Sequence, residues 1–240
     1  MRRGKQVIYG FIYLVFWCAV AAAIYFLFFR PGPPAAVTCG NRCVPTSTRP
    51  LAALGNVFMF TTGSGSATLL AQVENPNTIA AAKNFAYQFD LLDASGSLVQ
   101  TISAESFAYA GEVKYLLAPN QSIATSAVQA SLTIGSTTWA SPSVVGAVPA
   151  LSLQNVATGG GTDGAPLAVT GEIVDQDVSS FNHLLIVAIF NDANGTSVGA
   201  SQTELDSIAP NQMENFSITY PAVPNADPSR TQLFAYALRP

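Results

Sequence analysis

Two stretches, YQFDLLDASGSLV at residues 87–99 and IVAIFNDANGTSV at residues 186–198, share one pattern. In each, a segment rich in aromatic or aliphatic residues runs into Asp-Ala-Ser-Gly or Asp-Ala-Asn-Gly, and a second such segment follows. Aromatic and β-branched residues favour strands, while Asp, Asn and Gly supply the local hydrogen bonds and positive φ angles of a tight turn. Each stretch therefore predicts a β-hairpin, with turns at Asp93–Gly96 and Asp192–Gly195.

A second shared motif, Ala-Pro-Asn-Gln, follows each hairpin and contains Pro119 and Asn120 in the first copy and Pro210 and Asn211 in the second. Because proline fixes φ and asparagine tolerates the left-handed conformation, we interpret both motifs as turns that precede a strand. The motif begins 22 residues after the hairpin glycine in the first copy and 14 residues after it in the second. This spacing predicts an insertion of eight residues around SFAYAGEVKYL.

The chain beyond residue 50 consists of short segments separated by turn residues, and none of them has a helical period. The alternation of apolar and polar residues in these segments indicates half-buried strands. Strands about ten residues apart favour β-sandwiches over a parallel sheet, and 240 residues leave room for two small domains. We therefore predict an all-β ectodomain of two tandem Ig/fibronectin-like antiparallel β-sandwiches, at residues 51–143 and 144–240.

Two motifs resemble those of a known family. FDLLD at 89–93 resembles the F-x-L-Y-D motif of FxLYD domains, with Leu92 in place of tyrosine, and VENPN at 73–77 resembles the V-x-N segment that precedes it. In the second copy only Asp192 and Gly195 keep the pattern. FxLYD domains are similar in fold to the sandwiches of the water-stress and late-embryogenesis-abundant type 2 group, and the whole layout resembles single-pass envelope proteins of candidate-phylum bacteria. The resemblance implies a fold and a location, but no catalytic residue.

A long apolar run precedes these domains. Residues 7–29 carry no charge over 23 positions, enough to cross the ~30 Å hydrocarbon layer as a helix. A cleaved signal peptide is the competing interpretation, but its apolar region is about 7–15 residues long and ends in small residues. The basic tail of residues 1–6 remains in the cytoplasm by the positive-inside rule. We therefore predict one N-terminal transmembrane helix in the cell membrane, contacting the lipid bilayer, with extracytoplasmic C-terminal domains.

Residues 30–50 form a linker rich in proline, with Cys39 and Cys43 on either side of Gly-Asn-Arg. Outside the reducing cytosol, a local disulfide between these cysteines is the favoured interpretation. A metal pair and a redox motif are the alternatives. A metal site needs about four ligands, and the spacing differs from the C-x-x-C of thioredoxin-like sites.

Composition and motifs exclude some functions. Residues 31–240 carry 14 acidic and 6 basic residues, which argues against nucleic-acid binding because phosphates would be repelled. His183 is the single histidine, and no G-x-S-x-G motif accompanies it, so we predict no enzyme and no cofactor. Asp175 and Asp177 could offer oxygens to Ca²⁺, and weak calcium binding stays open.

The sequence thus predicts a noncatalytic, membrane-anchored cell-envelope protein that displays two β-sandwiches for structural, adhesive or assembly interactions. Exposed sheet edges are the expected contact sites for a protein partner or for self-association, because unpaired backbone groups accept a further strand. The alternative is an extracytoplasmic binding module for a small apolar ligand or a glycan.

Overall fold

The computed structural model describes residues 17, 47–160, 164–223 and 225–239. The predicted cytoplasmic tail, the transmembrane helix apart from residue 17, and the linker cysteines Cys39 and Cys43 lie outside the described residues. No described helix has the length and apolar character needed to span a membrane. Contacts divide the chain into two units, residues 1–40 and 41–240, and all the described strands belong to the second.

The described residues form twelve strands and almost no helix, which confirms the predicted all-β class. The strands are β1 Ala52–Gly63, β2 Ser66–Glu74, β3 Ala81–Leu92, β4 Leu98–Ala108, β5 Val113–Ser122, β6 Gln129–Ala140, β7 Leu151–Gly159, β8 Leu167–Asp175, β9 Leu184–Asn191, β10 Ser197–Leu205, β11 Met213–Tyr220 and β12 Gln232–Ala237. One turn of helix, α1 Pro142–Val145, connects β6 to β7, and a short 3₁₀ helix, Pro228–Arg230, precedes β12.

The strands pair into four antiparallel sheets of three strands each. Strands β1 to β6 form the sheets β1-β2-β5 and β4-β3-β6, and strands β7 to β12 form the sheets β7-β8-β11 and β10-β9-β12. The second six strands therefore repeat the pairing of the first six, strand for strand. We call strands β1 to β6 the first sandwich and strands β7 to β12 the second sandwich.

Each sandwich encloses a core between its two sheets, and a third apolar cluster lies between the sandwiches. The third cluster joins Leu70 and Leu117 of the sheet β1-β2-β5 to Val187, Ile189 and Tyr236 of the sheet β10-β9-β12. These two sheets are therefore the inner layers of a four-layer stack. We call this third cluster the interface core.

The inner position of β2 and β9 corrects the expectation of half-buried strands. Leu69 and Ala71 of β2 face the first core, while Leu70 between them faces the interface core. In the same way, β9 turns Ile186 into the second core and Val187 into the interface core. Strands buried on both faces have near-continuous apolar sequences, as in LLIVAIF, instead of an alternating pattern.

The two Asp-to-Gly turns have the same geometry. The backbone N–H of Gly96 donates to the Asp93 carbonyl at 2.9 Å, and that of Gly195 donates to the Asp192 carbonyl at 3.0 Å. Both glycines have positive φ, 81° and 84°. Oδ1 of each aspartate accepts hydrogen bonds from the backbone N–H groups two and four residues later. Each turn connects two paired strands, β3 to β4 or β9 to β10.

The two Ala-Pro-Asn-Gln motifs do not occupy equivalent places. Pro119 and Asn120 lie inside β5, at an irregularity in its pairing with β2, whereas Pro210 and Asn211 lie in the connection before β11. Both asparagines have positive φ, 46° and 61°. Asparagine's tolerance of this conformation therefore serves a bulge in one sandwich and a turn in the other.

The predicted eight-residue insertion in the first copy disappears with this correction. Val113, where β5 begins, lies 17 residues after Gly96. Met213, where the equivalent β11 begins, lies 18 residues after Gly195. The two connections differ by one residue, because the insertion came from aligning two motifs that are not structurally equivalent.

Candidate functional site

Tyrosine hydroxyls connect the two sandwiches. The Tyr109 hydroxyl donates to the Ala237 carbonyl at 2.9 Å and accepts the backbone N–H of Arg239 at 3.1 Å. The Tyr236 hydroxyl accepts the backbone N–H of Tyr115 at 3.1 Å. Burial raises the pKa of both bridging tyrosines, so these hydroxyls stay protonated over the physiological range.

We call these contacts between the two sandwiches the joint. Arg239 adds further contacts to it. Its guanidinium binds both carboxylate oxygens of Asp177, and its Nε donates to the Ala147 carbonyl at 2.8 Å. The hydrogen bond from Arg239 lowers the pKa of Asp177 to about 2. Gly146 has a φ of 85°, and a Cβ there would lie 2.4 Å from Arg239 Cδ, so the connection accepts no side chain at this point. Residues 146–147 are thus fixed against the end of the second sandwich.

A cleft of about 480 Å³ lies between the sandwiches beside this joint. Its walls combine apolar, aromatic and charged side chains, among them Phe107, Lys114, His183, Leu185, Tyr236 and Arg239. Strands of both sandwiches contribute to it, so the cleft exists only when the two are docked. We call it the interface cleft.

Lys114 is the unusual group in the interface cleft, because it is only 2% exposed. Its Nζ donates to the Phe107 carbonyl at 3.2 Å and lies 3.4 Å from the Phe107 ring centroid and 4.9 Å from that of Tyr236. Within the described part of the chain, no carboxylate lies within 4.0 Å of Nζ, and the ion pairs are Arg230–Asp227 and Arg239–Asp177. Aromatic faces therefore replace a counter-ion at this ammonium.

Burial also shifts the titration of this part of the cleft. Desolvation lowers the pKa of Lys114 to about 8, although nearby Glu112 opposes the shift. Burial raises the pKa of Glu112, whose carboxylate accepts the backbone N–H of Tyr109 at 2.7 Å. A lysine of this kind can pair with an anion or react as an amine. Its contact with the Tyr236 ring also connects β5 to β12 of the second sandwich.

His183 lies at the exposed rim of the interface cleft. Among the described residues, no hydrogen bond or ion pair joins its ring to a serine or an aspartate. The described residues also include no group of three His, Cys, Asp or Glu side chains that could hold a metal. Asp177, which the sequence offered as a calcium ligand, has its carboxylate occupied by Arg239.

A second surface lies on the outer face of the sheet β4-β3-β6 and is polar. Asp90 accepts hydrogen bonds from Gln88 at 3.0 Å, Thr101 at 3.0 Å and Thr133 at 2.8 Å. Burial alone raises the pKa of Asp90, but these hydrogen bonds together lower it below its ordinary value. A shallow groove of about 310 Å³ runs beside this network over Gly135.

Sequence reasoning missed the groups at the joint. Lys114 interrupts an apolar strand, in VKYLL, and a lysine in such a run is a signal of a buried charge or a buried contact. Tyr236 and Arg239 gave no comparable signal, because their role depends on a pairing between residues more than 60 positions apart.

No family model matches the chain, and no curated protein sequence matches it. Among solved structures, the red sea bream transglutaminase is 11% identical over 77% of this chain, with a TM-score of 0.23, and the chain spans 31% of that structure. The tandem CBM22-1–CBM22-2 domain of Paenibacillus barcinonensis Xyn10C is 9% identical over 81% of this chain and 87% of its own, with a TM-score of 0.15. Similarities this low carry no argument about function.

Proposed function

We propose that this protein is a noncatalytic, membrane-anchored component of the cell envelope that displays two docked FxLYD-like β-sandwiches as one rigid body outside the membrane. Residues 7–29 supply the transmembrane helix, and the two Ig/fibronectin-like domains occupy residues 51–143 and 144–240. The interface core is the observation that carries the proposal, because it makes the pair one continuous packed unit instead of two tethered ones.

The contacts of the joint support rigidity. Interdomain surfaces that are small and polar permit relative motion, whereas large apolar ones oppose it. Here the side chains of Leu70 and Val187 are 1% and 0% exposed. The connection that would act as a hinge is fixed by Arg239 through the Ala147 carbonyl. A rigid body of this kind suits a spacer or a structural subunit.

The outer sheet of the first sandwich offers the contact surface that this function requires. Strands β4 and β6 are the edges of the sheet β4-β3-β6 and are 11 and 12 residues long. Strands β1 and β7 are also edge strands. Pairing is irregular along all four of these strands, but only β1 and β7 contain a residue at positive φ, Gly55 and Asn155. Bulges of this kind protect an edge against pairing with another chain. We therefore assign the partner contact to β4 or β6.

Site-specific photo-cross-linking in native membranes tests this proposal. The chain has three lysines, at 5, 83 and 114, so amine-reactive reagents would sample it poorly. A photoreactive residue at exposed Ser136 of β6 should give one recurrent cross-linked partner, or a second copy of the chain, in the membrane fraction. The same residue at exposed Val156 of β7 is the matched control. Scattered, substoichiometric products at both positions, or a protein released from membranes by alkaline carbonate, would contradict the proposal.

The alternative function is binding of a small apolar ligand or a glycan. The interface cleft favours it, since Phe107, Leu185 and Tyr236 give it apolar and aromatic walls. Thermal unfolding of the full-length protein with a panel of fatty acids and oligosaccharides tests this function. A ligand of this site should raise the melting temperature of the wild type but not that of a variant whose cleft is filled by Leu185→Trp.

A further inference from the structure

Asn75 and Asp175 occupy the same place in the two sandwiches, at the ends of β2 and β8. The backbone N–H of each donates to a carbonyl 37 residues later, that of Glu112 at 2.9 Å and that of Gln212 at 3.1 Å. Oδ1 of each also accepts the backbone N–H two residues later, at 3.1 Å and 2.8 Å. Both side chains are fully buried, at 0% exposure.

The second side-chain atom of Asn75 is a donor. Its Nδ2 donates to the Ala80 carbonyl at 2.9 Å and to the Tyr109 carbonyl at 2.8 Å. These carbonyls lie 5 and 34 residues after Asn75. The amide therefore joins the connection between β2 and β3 to the connection between β4 and β5. The amide therefore satisfies two buried acceptors that have no access to water.

The corresponding atom of Asp175 is an oxygen. Its Oδ2 is buried and has no hydrogen-bond partner among the described residues. The residues 5 and 34 positions after Asp175 are Ser180 and Ala209, and the Ala209 carbonyl accepts the Gln212 N–H as the Tyr109 carbonyl accepts that of Glu112. Ser180 and Ala209 are exposed, whereas Ala80 and Tyr109 are buried, so the buried and unpartnered atom in the second sandwich is Oδ2 itself. An ionised carboxylate has no proton to donate, and a buried charge without partners is costly.

The charged groups that act on Asp175 are few. Asp177 raises its pKa and Arg239 lowers it, but the Arg239 guanidinium is already bound to the Asp177 carboxylate. Strand β7 places uncharged Leu151 opposite Asp175, and the connection before β11 presents Gln212, which is hydrogen-bonded to Glu214. No free cation therefore faces Oδ2 from the described elements packed against it.

A bound calcium ion fits this position poorly. Calcium takes 6–8 oxygen ligands, whereas the nearby carboxylate of Asp177 is already bound to Arg239. In the first sandwich the equivalent space is filled by an amide at hydrogen-bonding distance from both carbonyls, which corresponds to the reach of a donated proton.

We propose that the folded protein holds a proton on Asp175 and that the Oδ2–H group donates to a backbone carbonyl in the place of the Asn75 amide, so that acid stabilises the second sandwich.

The direction of the titration agrees with this assignment. Burial, as the largest cause, raises the pKa of Asp175 above its ordinary value, with a further contribution from Asp177. A carboxyl whose pKa is raised in the folded state contributes full stability below its unfolded pKa, about 3.9, and loses that contribution as pH rises through the folded pKa.

Thermal unfolding of the full-length protein in mild detergent tests this proposal with Asp175→Asn. At about pH 7.5 the amide supplies the missing donor, and we expect the melting temperature to rise on the order of 5 °C. At about pH 4 the wild-type carboxyl carries its own proton, and the difference should shrink toward zero. The reciprocal variant Asn75→Asp places the same carboxyl in the first sandwich and should lower the melting temperature at about pH 7.5 more than at about pH 4.

Two results would overturn the assignment. One is an Asp175→Asn variant that is no more stable than the wild type at neutral pH. The other is an equal gain at both pH values, since a gain without pH dependence would come from packing instead of a proton. A carboxyl ¹³C titration of Asp175 gives an independent measurement, in which a pKa at or below the ordinary range for aspartate contradicts the proposal.

Discussion

Lys114 in the first sandwich and Glu214 in the second occupy equivalent register positions, opposite Val73 and Ile173. The lysine is buried under two aromatic rings, while the glutamate is only half-buried and binds Gln212. The difference follows from the joint: the end of β5 meets Phe107 and Tyr236, and β11 lies in an outer sheet. One backbone pattern therefore accepts different interiors according to the layer in which each strand lies.

The cores of the two sandwiches also differ at equivalent positions, but there a larger side chain on one strand is matched by a smaller one on its neighbour. Ala71 pairs with Leu116 in the first sandwich, and Gly171 pairs with Phe216 at the same place in the second. A Cβ on Gly171 would lie 2.8 Å from Phe216 Cζ, so the larger ring requires the missing side chain. Volume is conserved across the pair, although neither residue is.

The largest expected effect comes from a charge in the interface core, which tests whether the two sandwiches behave as one body. Val187→Asp places a carboxylate where the side chain is 0% exposed, and we expect it to lower the free energy of unfolding on the order of 4 kcal/mol or to undock the sandwiches. Urea unfolding and small-angle X-ray scattering measure the two outcomes. Leu70→Asp, from the first sandwich, should act in the same way.

Val156→Asp is the matched control for that change, because it adds the same charge at an exposed position of β7. Surface changes of this kind shift stability by about 0.5 kcal/mol or less. If Val187→Asp and Val156→Asp gave equal stability and equal scattering, the sandwiches would be independent domains and the comparison would concern two separate proteins on one chain.

The next largest effect on stability is expected at Lys114. It gives the first sandwich a pH dependence that the second sandwich lacks at the equivalent position. A lysine with its pKa lowered to about 8 leaves the unfolded chain binding more protons between about pH 8 and about pH 10.4, so stability rises with pH in that window. Relative to Lys114→Met, the wild type should gain on the order of 3 kcal/mol across it. Lys83→Met, at an exposed position of β3, controls for the loss of a lysine. A flat difference for Lys114→Met would show that the ammonium is solvated.

These two predictions depend on features that sequence could not supply. The hairpins, the strands and the all-β class follow from local patterns, and the Asp-to-Gly turns have a local cause in their own hydrogen bonds. The four-layer stack does not, because an apolar run such as LLIVAIF satisfies one buried face as well as two. Lys114 is equally ambiguous, since a charge is stable in such a strand only if other strands, here β4 and β12, bring aromatic rings to it.

The Ala-Pro-Asn-Gln motifs show a different limit. Asparagine at positive φ is a local property, and both copies have it. Whether that residue bulges a strand, as Asn120 does, or turns the chain before one, as Asn211 does, depends on the register with the neighbouring strand. The two identical tetrapeptides therefore lie at positions that are not equivalent in the two sandwiches.

A smaller effect is expected at the compensated core pair. Gly171→Ala overpacks Phe216 and should cost about 1–3 kcal/mol. The double variant Gly171→Ala/Phe216→Leu recreates the Ala–Leu pair of the first sandwich and should recover part of that loss. A double-mutant cycle measured by urea unfolding gives the coupling energy, expected at about 1 kcal/mol or more for residues in contact. Additive single changes would mean that the second core relaxes freely around Gly171.

The smallest effects belong to the turns, where the two sandwiches are most alike. Hydrogen bonds lower the pKa of Asp93, chiefly through Ser95, and that of Asp192, chiefly through Thr196, so each contribution is present at neutral pH and is lost as pH falls through the folded pKa. Asp93→Ala and Asp192→Ala should therefore lower the melting temperature by small, equal amounts at about pH 7, and this loss should shrink as pH falls below the ordinary pKa of aspartate, about 3.9. This dependence is opposite in sign to that expected at Asp175, where the carboxyl stabilises the fold only with its proton. If the two turn variants differed, the difference would come from the side chain two residues after the aspartate. In the first turn the Ser95 hydroxyl donates to Asp93 at 2.6 Å, whereas in the second turn the Asn194 side chain interacts with Asp192.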